Sequence, residues 1–167
     1  MTACEQVRQA VMEQLAAANV KAVPAFEQKK FIRPDGAVTV VGVRQEEMQR
    51  AGLCGYLGER YDAVSRRTVE VYGREMKAVL SLDVYAPRDA GAAACDRAAD
   101  EAAQALTDRL SGGIVIGAVC FGETVWDKQY EMFVRRGTVN CKVCFTAETD
   151  GQEPEVCDYI LKGVVQI

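Results

Sequence analysis

Apolar and polar residues recur along the chain with two different periods, which predict two helices and several strands. Apolar residues return every three or four positions over residues 3–18, and Thr2 followed by Glu5 has the spacing of a capping box. A first helix is therefore expected there. Asp89 or the residues after it can begin a second, alanine-rich helix, which Gly112 and Gly113 are expected to end.

Strands are expected where β-branched residues cluster or apolar residues alternate with polar ones. A turn at Arg136 and Gly137 is expected between two of these strands. The last apolar run is expected to be a short strand or an extended arm. The predicted strand segments are residues 37–43, 68–72, 76–84, 114–120, 130–134, 139–147 and 156–165.

Hydrophobic residues show no regular period between Arg44 and Arg67, where glycines, charged residues and two tyrosines follow no pattern. We predict a long loop at about residues 44–67, and loops of this length are usually functional or mobile. A C-terminal extension is expected at about 150–167. The 167 residues suit a single domain over 1–167. Without regular βαβ alternation, the order predicts an α+β fold, a mainly antiparallel sheet with two principal helices on one face.

Composition narrows the classes of partner. The net charge of −4 gives no basic footprint for nucleic acid or an anionic membrane, so neither is an expected partner. The chain shows neither a signal-peptide pattern nor 18 uninterrupted apolar residues, so a soluble intracellular protein is expected. Seven scattered cysteines are best explained as reduced core thiols: Cys4, Cys54, Cys95, Cys120, Cys141, Cys144 and Cys157.

The sequence offers little for catalysis, cofactor binding or metal binding. It contains no histidine, which removes the commonest general base and metal ligand. Cys141 and Cys144 form the single CxxC, but residues three apart on a strand face opposite ways. The glycine-rich residues 52–58 lack the Lys-Ser/Thr ending of a phosphate loop. Acidic clusters are better explained as solvated surfaces than as metal sites: Asp96, Asp100 and Glu101, then Glu148, Asp150, Glu153 and Glu155. We expect no catalytic residue, no cofactor and no metal.

Aromatic residues and arginines in turn-rich contexts are the candidates for a protein interface, because these residue types are enriched where interfaces bind most strongly. Solvent-facing strand ends are an equally good explanation of them. The candidates are Tyr56, Tyr61, Arg66, Arg67, Trp126, Tyr130, Arg135 and Arg136.

Two segments resemble the tail terminator, or tail-completion, proteins of lambda-like phages. In the first, the strand EMKAVLSLDVYAP leads into the acidic, alanine-rich helix DAGAAACDRAADEAAQALTDRL. The second, GGIVIGAVCFGETVWDKQYEMFVRRGTVNCKVCFTAE, is similar to that family's closing strands. These motifs are architectural and cover about half of the chain. They leave residues 44–67 and the C-terminal extension unexplained.

The resemblance implies a non-enzymatic subunit that forms a ring, usually a hexamer, which caps the tail tube and meets the head connector. Its partners would be further copies of itself, the tail tube protein and the head-tail connector protein. It would reside in the bacterial host cytoplasm during assembly and in the virion tail afterwards. Three alternatives stay open: another neck, connector or baseplate subunit, a small-molecule- or protein-binding α+β domain, and an enzyme that uses carboxylates or a cysteine.

Overall fold

The computed structural model describes residues 2–25, 34–106 and 110–149. Within these ranges, two helices and six strands follow in chain order, with a short 3₁₀ turn at Ser111–Gly113. Their bounds are α1 Ala3–Ala17, β1 Ala22–Pro24, β2 Val38–Arg50, β3 Tyr56–Asp62, β4 Arg67–Pro87, α2 Ala92–Ala105, β5 Val115–Asp127 and β6 Met132–Thr149. The predicted C-terminal extension and strand 156–165 lie outside the described residues.

The strands form one sheet in the order β1-β2-β4-β6-β5, and β3 pairs with β4. Every pairing is antiparallel except that of β1 with β2. This mostly antiparallel sheet with two helices confirms the predicted α+β class.

Both helices pack on the same face of the sheet, which we call the helical face. Alternate residues of β4 from Met76 to Ala86 are buried there, as the period of a strand requires. The buried apolar side chains of α1 and the side chain of Leu106 pack against this row. The small side chains of α2 pack on Val84 and Ala86. The alanines of α2 bring the helix close to the sheet because they leave little side-chain volume between the two.

The start of α1 is fixed by the predicted capping box. The Thr2 side chain accepts a hydrogen bond from the Glu5 amide at 3.2 Å, and the Glu5 carboxylate accepts one from the Thr2 amide at 2.6 Å. Hydrogen bonding from the Thr2 backbone amide and then its side chain lowers the pKa of the Glu5 carboxyl. The start of α2 falls where it was expected, because its N-cap is Gly91, one of the residues after Asp89. Its predicted end is wrong, since the helix ends at Ala105, before Gly112 and Gly113.

The predicted long loop at residues 44–67 is wrong. Residues 44–50 continue β2, and residues 56–62 form β3. β2 and β3 lie one after the other along the same edge of β4, and both run antiparallel to it. The pairing extends from Val38–Tyr85 at one end to Asp62–Arg67 at the other. No hydrophobic period marks this segment because most of its side chains are exposed on both faces, and the strand is defined by backbone pairing.

The predicted turn at Arg136 and Gly137 is also wrong, because β6 runs unbroken through both residues. Gly137 is explained by a close contact. A Cβ there would lie 2.9 Å from the Cys120 carbonyl oxygen and would collide with the Phe121 ring. Similarly, the predicted strands 68–72 and 76–84 are parts of the single 21-residue β4.

Candidate functional site

We call residues 45–72, made of the end of β2, β3 and the start of β4, the β arm. Glu46 at its base contacts Cys4 of α1, whereas β3 lies further out along β4, paired with residues 67–72. Neither hydrophobic core cluster of the described residues contains a member of the arm. The strand rise of about 3.3 Å per residue puts the tip, where β4 begins at Arg67, about 30 Å from Met76, the first residue of β4 in the core. The arm is therefore held mainly by its strand pairing, although Val69 within it is buried.

The glycine-rich segment forms the junction between β2 and β3. Gly52, Gly55 and Gly58 all adopt positive φ, which favours glycine. The Ala51 amide donates to the Gly73 carbonyl at 3.1 Å, and the Gly73 amide donates to the Gly55 carbonyl at 2.7 Å. The glycines thus let the chain leave β4 and return to the same edge.

The tip of the arm is a tight turn ordered by Asp62. Its carboxylate accepts hydrogen bonds from the amides of Val64 at 3.1 Å and Ser65 at 3.2 Å. Hydrogen bonds from Ser65 and Val64 lower the pKa of the Asp62 carboxyl. Arg66 takes a left-handed conformation with φ 55°, which returns the chain into β4. A defined turn therefore presents Val64 to solvent, 94% exposed.

Exposed apolar side chains concentrate on the arm. Six of the eleven large apolar side chains that are exposed among the described residues lie there: Met48, Leu53, Tyr56, Leu57, Tyr61 and Val64. Leu53 is 83% and Tyr61 is 63% exposed. Single exposed apolar residues are ordinary, whereas a concentration on one projecting element is typical of a contact surface.

Four of the eight predicted interface residues meet on this arm. Tyr56 lies edge-to-face on Tyr72, with ring centroids 5.6 Å apart. Tyr61 is on β3, and Arg66 and Arg67 complete the tip. Partial burial, followed by the charge of Glu59, raises the pKa of the Tyr56 hydroxyl, so this side chain stays neutral in ordinary buffers.

The other four predicted residues lie towards the opposite end of the sheet, about 50–65 Å along β4 from the tip of the arm at Arg67, and they divide between its two faces. Trp126 packs edge-to-face on Phe133, with ring centroids 5.0 Å apart. Tyr130 packs on Tyr85, with ring centroids 6.1 Å apart. They therefore form no single patch.

Arg135 and Arg136 are neighbours on β6 but face opposite ways. Arg135 lies on the helical face, where its Nη1 donates to Asp96 Oδ1 at 3.1 Å and its Nε donates to the Gly122 carbonyl at 2.9 Å. Arg136 is exposed on the other face, opposite Asp83. Arg135 is thus committed to its own chain, which explains it better as a structural residue than as an interface anchor.

The expectation of core thiols holds for half of the six described cysteines: Cys4, Cys95 and Cys141 are buried, Cys144 is half-buried, and Cys54 and Cys120 are exposed. Burial raises the pKa of Cys4 to about 11 and that of Cys141 to about 12, so both are protonated thiols at neutral pH. Cys141 lies in the core and Cys144 on the opposite face beside Glu75. The two sulfurs therefore do not converge. Within the described ranges, no three Cys, Asp or Glu side chains are grouped so that they could hold a metal ion.

Several features of the arm were missed from the sequence. Met48, Leu53, Leu57 and Val64 were not among the predicted interface residues, although they contribute apolar surface. The sequence did carry a signal for them, because these four apolar residues occur in a segment without the hydrophobic periodicity of a buried helix or strand. Such residues must lie exposed in the isolated chain.

Comparison with known protein families finds no family model that matches this chain, and no curated protein matches it either. None of the described helices is long and apolar enough to cross a membrane.

Proposed function

We propose that this protein is a structural assembly subunit whose β arm binds a neighbouring copy of the same chain. The observation that carries the proposal is the concentration of exposed apolar side chains on an ordered projection outside the core clusters. Burying Leu53, Tyr61 and Val64 against a partner would remove apolar surface from water, at about 25 cal/mol per Å².

The position of the arm favours a head-to-tail contact. The arm projects from one end of the sheet. If it binds a surface of the neighbouring copy other than that copy's own arm, the contact joins two different surface patches. Such contacts close into a ring when the rotation between copies allows it, whereas arm-to-arm binding gives a two-fold dimer. We propose the ring, because it matches the assembly that the resembled family forms.

The specific role we propose is that of a phage tail terminator. It rests on the resemblance of residues 75–110 and of the closing strands to that family. In this role a ring, with six copies as the expected number, caps the tail tube and contacts the head connector. Another neck, connector or baseplate subunit would share the same physical requirements and remains the nearest alternative.

The experiment that tests the arm is a comparison of oligomer mass between two sets of variants. The arm variant carries Leu53→Ser, Tyr61→Ser and Val64→Ser. The control carries Val115→Ser and Val125→Ser, which replace exposed apolar residues on β5, outside the arm, at 41% and 44% exposure. Sedimentation velocity should show a loss of oligomer in the arm variant alone, with an unchanged circular dichroism spectrum. An oligomer that survives in the arm variant would refute the proposed contact.

A further inference from the structure

The face of the sheet opposite the helices, which we call the open face, carries a row of small side chains across four strands. Gly42 on β2 is paired with Ser81 on β4, Ser81 with Thr138 on β6, and Thr138 with Cys120 on β5. Cross-strand partners project to the same side of a sheet, so these four positions lie in one line. Two of them, Thr138 and Cys120, line an open cavity on this face, and we call the cavity and the row beside it the groove.

Gly42 contributes to the shape of this groove. A Cβ at Gly42 would lie 2.7 Å from the Ser81 hydroxyl and 3.1 Å from the Ala25 side chain. Its backbone φ is not positive, so no special conformation requires glycine there. The residue leaves room for the Ser81 hydroxyl.

Two arginines flank the groove. Arg44 occupies a β-bulge, because the pairing of β2 with β4 shifts between Val43 and Gln45. Bulges commonly re-aim a side chain near a functional site. Arg136 projects from β6 next to Thr138. Both arginines line one open cavity of about 230 Å³ together with Cys120 and Thr138.

The two guanidinium groups are incompletely neutralised. Within the described residues, neither Arg44 nor Arg136 has a carboxylate within the 4.0 Å of an ion pair. Asp83, paired across the strands with Arg136, is the nearby anion. Burial raises the pKa of the Asp83 carboxyl, while the charges of Arg136 and Arg44 act in the opposite direction. Even with Asp83 ionised, the two arginines leave an excess of one positive charge.

We propose that this cleft binds a phosphate-sized oxyanion, either free phosphate or the terminal group of a small phosphomonoester. Two guanidinium groups offer paired N–H donors to its oxygens, and this is the geometry in which arginine binds phosphate best. The hydroxyl of Thr138, which lines the same cavity, supplies a further donor. The site uses the open face rather than the arm, so it is independent of the proposed assembly.

The test is a titration of inorganic phosphate at constant ionic strength, followed by the ³¹P linewidth of the ligand, which suits an oligomer of any size. The intact chain should give saturable broadening. Arg44→Gln and Arg136→Gln should each weaken binding about tenfold, because each removes a charge-assisted contact. The control Arg88→Gln removes an exposed arginine outside the cleft and should leave binding unchanged.

A further variant separates binding from mere structural damage. Asp83→Asn removes the negative charge beside the cleft and should tighten phosphate binding severalfold, an effect that damage to the fold would not produce. Glycerol phosphate in place of inorganic phosphate distinguishes a monoester ligand, which would bind more tightly, from the free ion. Absence of saturable broadening in the intact chain would overturn the proposal. Equal weakening in Arg88→Gln would do the same, because it would indicate general charge attraction.

Discussion

Arg135 on β6 donates a hydrogen bond to Asp96 on α2, with 3.1 Å between Nη1 and Oδ1. Thr124 on β5 donates to the same carboxylate oxygen at 2.5 Å. The Arg135 guanidinium also lies 5.9 Å from the centre of the Phe121 ring. One carboxylate therefore joins the helix to two strands at the rim of the sheet.

Replacement of Arg135 by Met should lower the free energy of unfolding by about 1–2 kcal/mol. The change keeps much of the apolar stem but removes a charge-assisted hydrogen bond, in a site still partly open to solvent. Urea unfolding measures the loss. The neighbouring Arg136→Met, on the exposed open face, is the matched control and should change stability by less than about 0.5 kcal/mol. Equal losses in both variants would contradict the assigned role of Arg135.

Gly137→Ala should destabilise the protein by about 1–3 kcal/mol, because the new methyl group would force the Phe121 ring out of place. Gly122→Ala on β5 is the control, since its Cβ would lie 3.6 Å from the nearest atom, the Arg136 carbonyl oxygen. Thermal unfolding of the two variants compares them directly. A harmless Gly137→Ala would show that the ring can move aside at little cost.

Thr39→Val should raise the free energy of unfolding by about 1 kcal/mol. The Thr39 hydroxyl is buried without a hydrogen-bond partner among the described residues, and valine replaces it with a methyl group of similar size. Thr146→Val is the comparison, because Thr146 is also buried but does have a partner. Chemical unfolding should show a gain for the first variant and none for the second.

Stability should fall in acid partly through Glu75. The hydrogen bond from Lys142 at 2.7 Å, followed by one from Gln49, lowers the pKa of this carboxyl below its ordinary value of 4.5. Because the folded pKa is the lower one, the contribution is fully present above the unfolded pKa. It is lost as pH falls through the folded pKa.

Glu75→Gln should therefore flatten the dependence of unfolding free energy on pH below about 4.5. The effect should not exceed about 1 kcal/mol, because solvent screens the exposed Lys142. Urea unfolding between pH 3 and pH 7 provides the measurement. Glu47→Gln, an exposed carboxylate on β2, serves as the control. A variant with the same pH profile as the unaltered protein would contradict the pairing.

The sequence predicted those elements that bury a periodic face. The stripe of α1 and the alternation from Met76 to Val84 were recognisable because each buried position repeats at the period of its element. The arm could not be recognised in this way, since strands exposed on both faces carry no hydrophobic alternation. Its partner is β4, and a pairing between distant segments leaves no local signal.

Glycine misled the sequence analysis at Gly137, where a ring contact was interpreted as a turn. The same difficulty affected Arg135, because a strand position does not reveal that Asp96 lies on the helix above it. Half of the predicted interface residues did come together on the arm. Residue type and turn-rich context singled them out, but only the strand pairing shows which of them lie on the arm.

The most direct test of the assembly claim is the absolute mass of the unaltered protein in solution, measured by light scattering over a concentration series. We predict a closed oligomer of about six copies that forms as concentration rises and then stops growing. A monomer at every concentration would contradict it.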